Sequence, residues 1–509
     1  VSGNYNVAVG SSAMNSCGNG SNNVALGYSS LFNNTGSNNT SVGYDSMRAN
    51  TSGTANVAVG SGALDANTTA NNNTAIGRNA LGANTTGTQN TAIGSAALDA
   101  NTTGSLNVGI GVNALGSNTT GQQNIAVGDL SLSANTDGVQ NTAVGQSSLT
   151  GNTSGINNTA VGHDALFSNT TGNYNTSVGS FALNSNTTAD NNTAVGFAAL
   201  TLATTGTNNV AVGYGALDAN TTADGNTAVG KDAMTNNSTG ASNTAVGKDS
   251  MLANTTGNSN AAFGLNSLEA NTSGTGNTAS GKDALKSNTT ASNNTALGYQ
   301  AAMSSTTADN ITAIGGSALA NNTGGTDMTA VGKSALAANT SGDANCAFGR
   351  SSLNDNTTGS NNCAFGKNSL ADNTTASGNS AFGHYSLSVN TTGHYVTAVG
   401  FKALTANTTG TRNTAVGYEA ATDITTGASN VAIGSFALYK NETANNNTAI
   451  GHTSMENTTG GANTAVGSSS MTFNTSGTNN TGIGKEALKA NTTGANNTAV
   501  GAEALEKVT

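Results

Sequence analysis

Residues 141–158 read NTAVGQSSLTGNTSGINN, and Asn158 already opens the same phrase again as Asn158-Thr159-Ala160-Val161-Gly162. The glycine that closes the phrase recurs at Gly10, Gly27, Gly43, Gly60 and onward to Gly484 and Gly501, thirty times in all. Its spacing is 17 residues except between Gly27 and Gly43 and between Gly451 and Gly467, where it is 16. Self-similarity at a short fixed period marks a repeat architecture. Residues 1–509 therefore read as a single continuous repeat array of about 30 units, with the consensus N-T-A-V-G-x-x-A-L-x-x-N-T-T-G-x-x. No linker or shift in composition marks a second domain.

Charged residues are 8% of the chain and aromatics 4%, with no Pro or Trp. Disordered tracts share such polarity, but they have no reason to hold a strict period or reserve a slot for Leu. The net charge of −10 is spread thinly and there is no basic patch, which argues against nucleic acid as a partner. No apolar run approaches the ~18 residues of a membrane span.

Seventeen residues are too few for a helical-hairpin repeat, which takes roughly 34 or more. They suit one coil of a parallel β-solenoid, or β-roll, with two short strands and two turns, and the fold class expected is all-β. Strand side chains alternate in direction. The Thr/Val and Val/Ile slots of N-T-A-V-G are expected to share the inward face, as in Val7 and Val9, Val57 and Val59, or Val431 and Ile433. The Leu slot, Met at Met234 and Met251, is expected to meet them from the other side. Stacked coils bring equivalent residues to about 4.8 Å, so the two Asn slots, Asn141 and Asn152, become hydrogen-bonded ladders. The invariant glycine, as Gly145, Gly162 and Gly179, fits a backbone conformation closed to other residues. The second glycine is Ala at Ala70, Ala189 and Ala223, so it is not strictly left-handed.

If the strand is oriented that way, the slot of Ala143, Ala160 and Ala194 points away from the core and yet is always small. Two readings follow: a tight internal turn, or a packing seam between chains, the latter favoured. The residue after the invariant glycine behaves oppositely. Tyr28, Tyr44, Phe197, Tyr214, Tyr299, Phe401 and Tyr418 fall there, on an exposed stripe that could bind a receptor or a glycan, or could be a tolerant soluble surface. N-T-T and N-T-S are N-glycosylation acceptors, which makes Asn67, Asn84, Asn101 and Asn118 candidate sites if they lie on an outward turn.

N-T-A-V-G-x-x-A-L resembles the head repeats of trimeric autotransporter adhesins, and the longer unit with N-T-T-G is similar to repeats of phage tail-fibre proteins. The resemblance runs coil by coil along the chain. It implies a left-handed β-roll in an elongated rod, a homotrimer, an extracellular or virion location, and a role as fibre shaft or adhesive head. This unit is longer than the adhesin repeat, and no stalk or anchor motif accompanies it. Open ends, at Val1 and at Glu506-Lys507-Val508-Thr509, are expected to stack into a head-to-tail filament or to continue into flanking segments.

Enzymatic chemistry has no support in the sequence. His163, His384, His394 and His452 are dispersed, and no nucleophile–His–acid set is readable. No metal or cofactor pattern is present; Asp is too sparse for calcium-binding repeats, and glycine-rich phosphate loops lack their βα context. Cys346 and Cys363 hold one strand slot in neighbouring coils and should stack, more as free thiols than as a disulfide, while Cys17 lies in the second Asn slot. Ice binding is a rival function that needs a flat Thr array, and the Thr of N-T-A-V is expected to pair with a core Val. A functional-amyloid-like matrix protein is another rival.

Overall fold

The computed structural model describes residues 3–507, leaving Val1, Ser2, Val508 and Thr509, and with them the expectation about the chain ends, outside the described residues. The chain forms two compact units that divide between Thr256 and Gly257. The first holds fifteen three-residue strands, β1 (Val7–Val9) to β15 (Thr244–Val246). The second holds fifteen more, β16 (Ala261–Phe263) to β30 (Thr498–Val500). No helix occurs among the described residues.

Within each unit every strand pairs in parallel with the next, in register: Thr142, Ala143 and Val144 of one strand face Thr159, Ala160 and Val161 of the next. Each unit is thus a parallel β-solenoid whose fifteen rungs, fourteen steps of about 4.8 Å, span roughly 67 Å. The expected architecture and repeat are those observed. The rung itself differs from the expectation of two strands, because it has only one.

The other half of the rung is a chain of turns. Ser147, Leu149 and Asn157 all adopt left-handed backbone conformations, with φ of 55°, 52° and 57°, and the same three slots repeat it along the solenoid. Non-glycine residues rarely enter this region. Here neighbouring rungs hold it in place: Leu149 N–H donates to Ala165 O (2.9 Å), Gly151 N–H to Phe167 O (2.8 Å) and Thr153 N–H to Thr170 O (2.9 Å). Backbone hydrogen bonding between rungs therefore continues well outside the strand, which satisfies groups that a loop would leave to water.

The strand is turned inside out relative to the sequence expectation. Its central residue is buried and its flanks are not: Ala143, Ala160 and Ala194 are fully buried, whereas Val9 is 59% and Ile433 39% exposed. Val57, Val59 and Val431 are only half-buried, and Val7 is exposed. The core is the Ala slot, the Ala/Ser and Leu/Met slots across the rung, and the two Asn slots. Its thinness explains why only small residues enter the Ala slot. A Cβ added to Gly109, which with Gly482 is one of two glycines in it, would stand 3.4 Å from both Cγ and Cδ1 of Leu98 and 3.1 Å from Ala114 O. A methyl fits and a valine does not. Serines in the slot stay satisfied, as Ser41 Oγ is 2.9 Å from Ser46 Oγ.

Two Asn ladders stand inside. In the first, Asn141 N–H donates to Asn124 Oδ1 (3.0 Å) and Asn141 Nδ2 to Gly155 O (2.8 Å). In the second, Asn152 Nδ2 donates to Asn135 Oδ1 (2.8 Å) and to Gly155 O (3.1 Å). A buried amide is costly unless paired. Each of these carboxamides bonds within its own rung and to a neighbouring rung, so the ladders set the stacking register.

Candidate functional surfaces

The invariant glycine shapes the corner between the strand and the stripe. Gly145, Gly162 and Gly179 have φ of 130°, 133° and 137°. A Cβ on Gly162 would lie 2.7 Å from the carbonyl carbon and oxygen of Gly179 in the next rung. Conformation and closeness both require glycine there. The second glycine, as at Gly155, has no left-handed φ, in line with its replacement by Ala elsewhere.

The corner delivers the following residue to solvent. Tyr28 (50% exposed), Tyr44, Phe197, Tyr214 (54%), Tyr299, Phe401 and Tyr418 are all exposed. Register then makes neighbours stack. Tyr28 and Tyr44 have ring centroids 5.3 Å apart, Phe197 and Tyr214 5.4 Å, and Phe401 and Tyr418 5.5 Å, each pair within 13° of parallel. Phe181, one slot further on, meets both His163 (5.5 Å) and Phe197 (6.0 Å) edge to face. Lysines on the same stripe lie over rings, Lys231 Nζ at 5.6 Å from the Tyr214 centroid and Lys282 Nζ at 5.9 Å from that of Tyr299. In the second unit Phe436 joins Tyr418, Tyr439 and His452, and burial together with Asp423, Glu419 and Glu456 nearby pushes the Tyr439 hydroxyl above its usual range.

The strand face is a second surface, one that the sequence analysis placed in the core. From β9 (Thr142–Val144) to β15 it presents Thr/Val pairs of successive rungs outward, among them Thr159/Val161 and Thr193/Val195, interrupted only by Val210/Val212 of β13 and without a charged residue. In β21 (Cys346–Phe348), β22 (Cys363–Phe365) and β23 (Ser380–Phe382) the same face carries three stacked rings. Phe348–Phe365 and Phe365–Phe382 centroids are 4.7 and 5.1 Å apart. Nothing in the inward reading of that slot could have revealed this stack.

Two expectations are overturned. Ala143, Ala160 and Ala194 lie inside the coil of a single chain, so they are not available as a seam between chains. The tight internal packing is the reason they are small. Asn67, Asn84, Asn101 and Asn118 are the second Asn ladder, fully buried, with Asn84 Nδ2 bonded to Asn67 Oδ1 (3.1 Å) and Asn101 Nδ2 to Asn84 Oδ1 (2.9 Å). The sequon there is a by-product of the ladder, and a glycan on these amides is incompatible with the fold.

Concave features are shallow. A groove of about 340 Å³ runs past Ala96, Asp99 and Leu130, where burial raises the Asp99 carboxyl above its usual range against the opposing pull of Arg78. Among the described residues no three His, Cys, Asp or Glu side chains gather around a possible metal ion, and no helix is long and apolar enough to cross a membrane. His394 serves the scaffold, its Nδ1 accepting from Ser377 N–H at 2.9 Å. No protein-family model matches the chain, and no curated protein is similar to it in sequence.

Proposed function

We propose that the chain is a non-enzymatic structural protein of an extracellular or virion fibre, whose rungs hold an adhesive surface rigid. The observation that supports this reading is the exposed aromatic stripe, whose rings stack on one another in register rather than entering the core. Stacked, solvent-facing rings on a fixed backbone are a platform for the apolar faces of sugar rings or for partner side chains, and they lose little entropy on binding. The test is attachment of the purified protein to arrayed glycans and to cell surfaces. F197S/Y214S should reduce attachment while the circular dichroism and melting of the solenoid stay unchanged. Attachment that persists undiminished in a variant lacking all three stacked pairs would overturn the reading.

A second reading, ice binding, rests on the Thr/Val strand face. Its side chains stand outward in flat ranks, about 4.8 Å apart along the solenoid and about 6.6 Å across the strand. Methyl and hydroxyl groups alternate across that regular grid, with no charge to disturb an ordered layer of water. Thermal hysteresis lost on T159K/T193K would favour this reading over adhesion; no hysteresis in the parent protein would dismiss it.

A further inference from the structure

We propose that Cys346 and Cys363 form a two-coordinate site for a soft monovalent cation of the Cu(I) class on the outer face of the second unit. The two cysteines are register partners on adjacent parallel strands. Both are free, half-buried and on the outward face of their strands. Their neighbours in the slot, Thr329 and Ser380, offer no thiolate or imidazole, so the donor set is two sulfurs. Phe348 and Phe365, two residues further along the same face of each strand, wall one side with stacked rings.

The rung spacing selects the chemistry. In-register parallel strands translate every atom by about 4.8 Å, so the Cβ atoms of the pair are held near that separation. A disulfide draws its Cβ atoms to about 3.5–4.5 Å, closer than the ladder sets them. A zinc–thiolate bond is about 2.3 Å, and two metal–thiolate bonds of that order in line span about 4.6 Å, near the rung step. Tetrahedral ions would need two more ligands, which the rungs lack. Soft thiolate donors with a low coordination number favour Cu(I) over zinc or harder ions.

Uptake balances as two neutral thiols plus one cation giving a bis-thiolate complex of charge −1 and two released protons. Because uptake releases protons, affinity should increase with pH until the thiols ionise.

The experiment titrates the full chain with Cu(I) under anaerobic conditions, in competition with a chromogenic Cu(I) chelator. Thr holds this slot in most rungs, so C346T and C363T keep the fold. The parent and C17S should each bind one equivalent in this site, while C346T and C363T should each bind at least 100-fold more weakly. Binding that survives either Thr variant, or one-equivalent binding abolished by C17S alone, would overturn the proposal. So would rapid closure of a Cys346–Cys363 disulfide by hydrogen peroxide without loss of the β-ladder, because it would show that the rungs do not hold the sulfurs apart.

Discussion

Replacing Asn152 by Ala tests whether the buried carboxamide ladder holds the rungs together. Three hydrogen bonds disappear: Asn152 Nδ2 to Asn135 Oδ1 (2.8 Å), Asn152 Nδ2 to Gly155 O (3.1 Å) and Asn169 Nδ2 to Asn152 Oδ1 (2.8 Å). Two of the abandoned groups keep a partner. Gly155 O still accepts from Asn141 Nδ2, and Asn169 Nδ2 still donates to Gly172 O. Asn135 Oδ1 alone is left buried with no donor. At about 1 kcal/mol per net hydrogen bond and about 1–3 kcal/mol for the orphaned acceptor, the cost should be about 3–5 kcal/mol. The assay is urea unfolding, with S154A, an exposed neighbour, as control. N135A/N152A adds a sharper check. The pair shares one hydrogen bond, and the double variant removes the acceptor that N152A would orphan, so its cost should fall about 2 kcal/mol short of the sum. A loss below about 1 kcal/mol for N152A, or strict additivity in the double variant, would refute the claim that the ladder acts as a connected network.

The ladder already contains natural breaks, at Cys17, Ala203, Ser305, Ile424 and Thr458. Ala203 occupies the second Asn slot, and Asn186 Oδ1 is buried without a partner; A203N should restore the link and raise stability by about 1–2 kcal/mol in the same unfolding assay. The facing of the strand predicts opposite outcomes for neighbours. V161K should change stability by less than about 0.5 kcal/mol, whereas A160K should unfold the rungs around it even in a monomer, as read by limited proteolysis. Peptide mass spectrometry of protein expressed in a glycosylating host should find Asn67, Asn84, Asn101 and Asn118 unmodified in the folded material. The raised Asp99 carboxyl prefers its proton in the folded state, so it adds stability below the unfolded carboxylate range and loses it as pH rises through the folded pKa. D99N should therefore stabilise the first unit at neutral pH and lose that advantage in acid, as measured by melting across pH.

The period, the parallel stacking, the invariant glycine, the buried Leu slot and both Asn ladders were legible in the sequence, because each is a constraint repeated thirty times with few exceptions. The facing of the strand was not. A strand of three residues offers one central slot and two flanks, too short for an alternating pattern to show which side is apolar. Val at a flank argued for burial on hydrophobicity, and Ala at the centre carried little hydrophobic weight. Steric room decided instead. With Leu98 within van der Waals distance of where a Cβ on Gly109 would stand, the interior admits a methyl and excludes a valine. The left-handed Leu149 was equally hidden, since a β-branched or bulky residue at positive φ is an outlier that no local rule anticipates and only rung-to-rung hydrogen bonds sustain.

That reversal also redistributes the evidence for function. Read outward, the alanine slot seemed to demand a partner chain; read inward, it demands only Leu and Ala of the same chain, and the case for a seam loses its one sequence argument. The Thr and Val flanks gain what the alanines lose. A face that carries Thr142/Val144, Thr159/Val161 and Thr176/Val178 in unbroken register is under no constraint from the core, yet it stays uncharged. The stripe beyond the invariant glycine, with Arg78, Lys231 and Lys248 in it, shows that a neighbouring exposed slot of the same rung admits charge freely. Solubility would be served equally by charge on the strand face. Its exclusion from the half-buried strand face and not from the exposed stripe has two explanations, contact with a ligand or packing of the sheet itself. T159K separates the alternatives: stability unchanged with surface binding lost would assign that constraint to a ligand, whereas a fall of more than about 1 kcal/mol in unfolding free energy would assign it to the packing of the sheet itself.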